Sequence, residues 1–198
     1  AKVIIGSEDI EPVEGYPYEE VLRPLAAAPG MQPRELGAVV VNAATDFYAR
    51  VDDGSTQSYL ETSAIQGFTE KVNAFALALM ASGEKDLARS ARDSALAFII
   101  GDNVDLYDFA LLVEQGTRDG GVRAAAGELK AFITGTLVGL SRTHPRPDTK
   151  FPYPAADFSA ARGVAVYLPK AKVEDGYAEL KWAQASQWDE LIAWYLQK

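Results

Sequence analysis

Apolar side chains recur at helical spacing through most of this chain, and two short β-branched runs, one near each end, break that rhythm. The first run, Val3-Ile4-Ile5, has the mark of a strand buried on both faces. A loop follows, Ser7-Glu8-Asp9-Ile10-Glu11-Pro12-Val13-Glu14-Gly15-Tyr16-Pro17, in which proline and glycine stop regular structure. A short helix is predicted over 18–27, with Pro24 as an interior break and Gly30 as its end. A stronger helix starts at Pro33 and carries the stripe Leu36, Val39, Val40, Ala43, Ala44 and Phe47. Asp52-Asp53-Gly54-Ser55 reads as a turn and 56–64 as a strand.

The middle of the chain is predicted to be helical. One helix carries Phe68, Val72, Phe75, Ala76 and Leu79 and ends near Gly83. A second spans 87–98. A third holds Leu106, Phe109, Leu112 and Val113, and ends near Gly116. A fourth carries Val122, Ala126, Leu129, Phe132 and Ile133 and runs to about Leu140. Residues 142–158 read as a connection rich in proline, which also holds the only histidine, His144. The second β-branched run, over 163–169, is a buried strand closed by Pro169, and is the candidate to rejoin the first sheet. Ser186-Gln187-Trp188-Asp189 reads as a capping box before a terminal helix that buries Leu191, Ile192 and Tyr195. The fold class is α/β, with a helical block between an opening and a closing strand-helix unit.

Composition narrows the chemistry. A length of 198 residues suits one domain, or one domain with an extension. The net charge of -9, with no clustered Lys/Arg stripe, argues against nucleic acid and anionic membranes as partners. No stretch reaches the length of a membrane span. The absence of cysteine excludes disulfides, thiolate metal sites and a cysteine nucleophile within these residues. Domains rarely begin inside a buried strand, so further sequence is expected before Ala1.

Among individual candidates, His144 between Thr143 and Pro145 reads as a solvated loop histidine rather than a member of a Ser-His-Asp triad. Asp102, Asp105 and Asp108 lack the spacing of a calcium loop, and Asp102 or Asp105 is expected to cap the following helix. No glycine-rich phosphate loop follows the first strand. The most informative segment is the acidic loop. It follows the carboxyl end of a strand, where open α/β sheets place ligand sites, and it concentrates Glu8, Asp9, Glu11 and Glu14. Two readings stand: carboxylates presented to a guanidinium or ammonium group, or a solvated acidic loop.

The strand over 1–6 followed by Ser7-Glu8-Asp9-Ile10-Glu11-Pro12-Val13-Glu14-Gly15-Tyr16-Pro17-Tyr18 resembles the segment after the catalytic cysteine in clostripain-like peptidases, cysteine peptidases of caspase/gingipain-like fold. Met31-Gln32-Pro33-Arg34-Glu35-Leu36 is similar to that family's next helix start. Gly163 to Pro169, Tyr177-Ala178-Glu179-Leu180 and Ser186-Gln187-Trp188-Asp189-Glu190-Leu191 resemble its closing strand and helix.

The resemblance implies a C-terminal portion of an endopeptidase that cleaves after arginine or lysine and is inactive alone, its catalytic cysteine and histidine lying before Ala1. Residues 1–55 would complete the peptidase α/β sheet and 56–198 would form a mainly helical C-terminal region. The resemblance also implies a pocket for the basic side chain lined by Glu14 first and Glu11 second, with Ser7 and Glu8 bordering the cleft. It implies a peptide or protein substrate, the upstream part of the same protein as partner, and a secreted or cell-envelope location. The residues call for no cofactor and no metal; calcium enters only through the resemblance. The alternative is a binding or scaffold module of the same fold without catalysis.

Overall fold

The computed structural model describes residues 1–148 and 152–197. The chain opens with strand β1 (Val3–Ser7), helix α1 (Tyr18–Ala27), helix α2 (Pro33–Arg50) and strand β2 (Ser55–Glu61). The helical block comprises α3 (Ile65–Ser82), α4 (Lys85–Ser94), the short strand β3 (Asn103–Asp105), α5 (Leu106–Gly116) and α6 (Gly120–Phe132). Strand β4 (Val138–His144), strand β5 (Ala165–Tyr167), the short helix α7 (Lys181–Ala185) and α8 (Trp188–Leu196) complete it.

Local chemistry accounts for most of these boundaries. α2 starts at Pro33, and the Glu35 carboxylate turns back to accept the Gln32 N–H at 2.7 Å. α3 ends at Gly83, whose left-handed backbone (φ 72°) suits a residue without Cβ. Pro24 does not break α1. The bond it cannot make would go to Glu20, which is exposed, so no buried carbonyl is orphaned.

Strands β1, β2 and β4 form one antiparallel sheet in that order, with Ile5, Tyr59 and Leu140 aligned across it. Residues on both sides of position 55 therefore share this sheet. Within these residues β1 pairs only with β2, and Ile4 is 50% exposed. α2 covers the Tyr59 face, with Gly37 in contact with the tyrosine ring. On the same face a side chain at Gly139 would run into that ring. The opposite face carries Ile4, Gly6, Ser58 and Leu60, and the segment 163–165 crosses it.

Two expectations fail for the same reason. The fourth helix was expected to reach Leu140, but α6 ends at Phe132, a π-turn spans Ile133–Leu137, and Val138 already pairs with Leu60. His144 was expected in a loop, yet it ends β4 opposite Ser55. Strand pairing overrides the apolar helical rhythm there, where Thr134, Gly135, Thr136, Val138 and Gly139 are poor helix formers. Residues 149–151 of the predicted connection lie outside the described residues. The late strand pairs with β3 rather than with β1, β2 or β4.

The main core is the helical block packed beneath β5 and α8. Trp188 is fully buried, meets Phe109 edge-on at 6.1 Å, and donates its Nε1–H to the Tyr167 carbonyl at 2.8 Å. Phe109 in turn meets Phe75 at 5.9 Å. The capping box expected at 186–189 does not form. Ser186 Oγ donates to the Trp182 carbonyl at 2.8 Å, and the N-cap residue Gln187 gives its N–H to Asn73.

Candidate functional site

The acidic loop leaves β1 and is tied down at both ends. At the near end the Thr56 hydroxyl, buried on β2, accepts the Glu8 N–H at 3.1 Å and the Asp9 N–H at 2.9 Å, and shares a hydrogen bond with Ser7 Oγ at 2.9 Å. At the far end the Tyr48 hydroxyl of α2 donates to the Gly15 carbonyl at 2.7 Å. Tyr16 donates to Glu11 Oε1 at 2.5 Å, and Gln57 Nε2 donates to the same oxygen at 3.2 Å. A loop rich in proline, held at several points on a sheet and a helix, presents its side chains with little entropy left to lose.

The four residues expected to meet substrate divide into two pairs. Glu11 and Glu14 are exposed. Glu14 lines a cavity of about 150 Å³ with Ile10, Pro12, Val13, Asp53, Arg146, Pro152 and Tyr153. Tyr48 is pushed up to about 12, first by burial and then by the charges of Glu11, Glu14 and Asp53, so those carboxylates act on one region. Ser7 is half-buried and Glu8 is buried. Ser7 is held by Thr56, and Glu8, 8% exposed, accepts the Gly163 N–H at 2.8 Å through Oε2. Glu8 also lines a cavity of about 190 Å³ with Ile4, Gly6, Ser7, Ser58 and Leu60.

The fold adds residues to the site that spacing did not reveal. Asp9 is buried against Arg146, whose side chain is 5% exposed, in an ion pair spanning 137 positions. Asp9 also accepts the Ile99 N–H at 2.9 Å. Arg146 stacks over Tyr153 and Phe158 at 5.5 and 5.3 Å. It lines both the Glu14 cavity and a second one of about 420 Å³ that includes Phe98, Ile99, Pro154 and Phe158. The sequence signals this only by an arginine close to aromatic residues in a connection rich in proline.

Other candidates resolve simply. Asp105 caps α5 by accepting the Asp108 N–H at 2.7 Å, as one of the two expected caps. Asp53 Oδ1 accepts the Gly54 N–H at 2.7 Å in the predicted turn. His144 Nε2 and Ser55 Oγ face each other across the ladder, but each is buried without a hydrogen-bond partner, so they form no dyad. Among the described residues no cluster of three His, Cys, Asp or Glu could hold a metal ion. No helix among them is long and apolar enough to cross a membrane.

With this geometry in view, comparison with known proteins is specific. A search of curated proteins returned no match. Solved structures match well. A secreted C11 cysteine protease from Bacteroides thetaiotaomicron, bound to an irreversible peptide inhibitor, superposes with a TM-score of 0.67 at 15% identity, covering 95% of this chain and 53% of that one. An inactive zymogen C11 protease from Parabacteroides distasonis gives 0.63 at 17% identity, covering 93% and 51%. A clostripain from Bacteroides thetaiotaomicron in complex with the inhibitor BTN-VLTK-AOMK gives 0.65 at 14% identity, covering 93% and 76%. The chain thus spans about half the length of the first two proteins it matches. At these identities the likeness is one of fold, the mixed α/β fold of the C11 proteases. The clostripain family model matches residues 1–133, which includes β1, the acidic loop and the helical block through α6, and the chain therefore belongs to the clostripain family of C11 peptidases.

Proposed function

We propose that this chain is the C-terminal portion of a cysteine endopeptidase that cleaves after arginine or lysine. The observation that carries the reading is the acidic loop: Glu11 and Glu14 project to solvent from a segment fixed by Tyr48, Thr56 and Gln57. A carboxylate on a pinned loop beside a cavity suits a guanidinium or ammonium group. Glu14 is the first acid of that pocket and Glu11 the second. The lysine next to the AOMK group in the inhibitor of the clostripain from Bacteroides thetaiotaomicron is consistent with a basic residue there. The nucleophile and its base lie outside these 198 residues, which contain no cysteine. A thiolate would attack the peptide carbonyl, and an imidazole would carry the proton to the leaving amine. The chain is inactive by itself, its partner is the remainder of the same protein, and its location is extracellular or in the cell envelope, like the secreted relative.

The test is Glu14→Ala in the full-length protein, assayed on peptides with arginine, lysine or norleucine before the scissile bond. The expected result is a fall in kcat/KM of about tenfold or more for the basic peptides alone, since tenfold corresponds to ~1.4 kcal/mol of lost transition-state binding. Unchanged cleavage after basic residues would remove Glu14 from the pocket. Full-length protein without a cysteine and a histidine upstream of Ala1 would leave a binding or scaffold module instead.

A further inference from the structure

Glu8 and Asp105 are 97 positions apart, yet consecutive backbone amides bring them together. Glu8 Oε2 accepts the N–H of Gly163 at 2.8 Å, and Asp105 Oδ2 accepts the N–H of Arg162 at 2.6 Å. Two carboxyls on adjacent amides lie side by side, and both are buried, at 8% and 0% exposure. The oxygens of Asp105 are both occupied, since Oδ1 takes the Asp108 N–H. Glu8 Oε1 is buried with no N–H or hydroxyl partner. Two like charges this close and this dry cannot both persist.

We infer that Glu8 keeps its proton in the folded protein and donates it from Oε1 to the Asp105 carboxylate, making a bridge that positions the acidic loop on the helical block. The geometry carries it and the electrostatics agree. The bridge fills the one vacancy in the hydrogen-bonding of the pair. Burial holds Glu8 well above the ordinary carboxylate range, and the charge and hydrogen bond of Asp105 raise it further. Burial also raises Asp105, but both of its oxygens already accept backbone N–H groups, which favours its ionised form and leaves the proton on Glu8 Oε1.

The surroundings contain little else that titrates. The cavity beside Glu8 is lined by apolar and hydroxyl side chains from β1, β2 and the segment 163–165. α5 presents Asp108, whose charge acts on Asp105 and whose Oδ2 accepts the Leu96 N–H. Arg162 directs its guanidinium to the carbonyls of Ser159 and Ala161 and to the Tyr107 ring. Within the loop, Asp9 is neutralised by Arg146. Gly163 lets the amide approach: its φ is +92°, and a Cβ there would stand 2.8 Å from the Cβ of Ser58.

The sign of the pH dependence follows. A carboxyl raised in the folded state contributes stability that is complete below its unfolded value and is lost as pH rises through the folded value. In the window from the ordinary glutamate range upward, the wild-type protein should lose stability that a Glu8→Gln variant keeps, because glutamine donates and accepts without a titrating proton. That the bridge matters for substrate rests on the peptidase reading; its existence does not. The experiment therefore uses full-length protein and two kinds of readout. Infrared difference spectra of wild type minus Glu8→Gln at neutral pH should show a protonated-carboxyl stretch, and Tm against pH should fall in wild type relative to that variant. A missing band, or parallel Tm curves, overturns the bridge whether or not the protein cleaves peptides. On basic peptides, Glu8→Ala should raise KM several-fold with a smaller change in kcat, and Glu8→Gln should restore it. A glutamine variant as impaired as alanine would overturn the positioning role.

Discussion

Asp9 shows how far one side chain's role depends on its partner. Its type and place in an acidic loop suggested a solvated or substrate-facing carboxylate, but it is sealed against Arg146 with 3% of its side chain exposed. Taking one partner from such a pair strands a buried charge, which typically costs about 3–5 kcal/mol. Arg146→Met should therefore destabilise the protein by that order in denaturant unfolding. Asp9→Asn combined with Arg146→Met should be milder than the sum of the two single variants, giving a measurable coupling in a double-mutant cycle. Glu11 and Glu14 behave oppositely and stay exposed. Glu8 could not be separated from them by spacing, because its burial depends on Gly163, 155 positions away.

At the level of elements, the helices follow local rules closely. The stop at Gly83, the start at Pro33 and the cap by Asp105 all act within a few residues, so the sequence contains their causes. Asp119 is another such case: its Oδ1 accepts the N–H of Gly121 at 2.7 Å and of Val122 at 3.0 Å at the head of α6. Asp119→Ala should cost about 1 kcal/mol in chemical denaturation. By contrast Leu22→Ala in α1, at a side chain 54% exposed, should stay within about ±0.5 kcal/mol. Elements whose identity depends on distant partners are the ones in which local pattern and structure differ. The end of the fourth helix becomes β4 because β2 is there to pair with it, and β5 is claimed by β3. The Ser186 box fails because Asn73 and Trp182 offer competing bonds.

Across the whole molecule, one large core joins the helical block to β5 and the C-terminal helix. Trp188 is its hinge point, touching Phe109 and bonding to Tyr167. Trp188→Ala should cost about 3–5 kcal/mol. Because the same core underlies the segment that crosses the sheet, far-ultraviolet circular dichroism and tyrosine fluorescence should report a single shared transition. Separate transitions would show that the sheet and the helical block are independent units.

What the sequence determined by itself was whatever is encoded within a turn or two of the chain. That includes the α/β class, most helix positions, the turn at Asp52–Asp53, and the family, carried by the order of short motifs. The absence of cysteine and the acidic balance also came from sequence alone. Tertiary structure decided the strand character of residues 138–144, the partner of β5 and the inward turn of Glu8 and Asp9. Each of these depends on which backbone amide or charge arrives from a distant part of the chain, and no local pattern encodes that arrival.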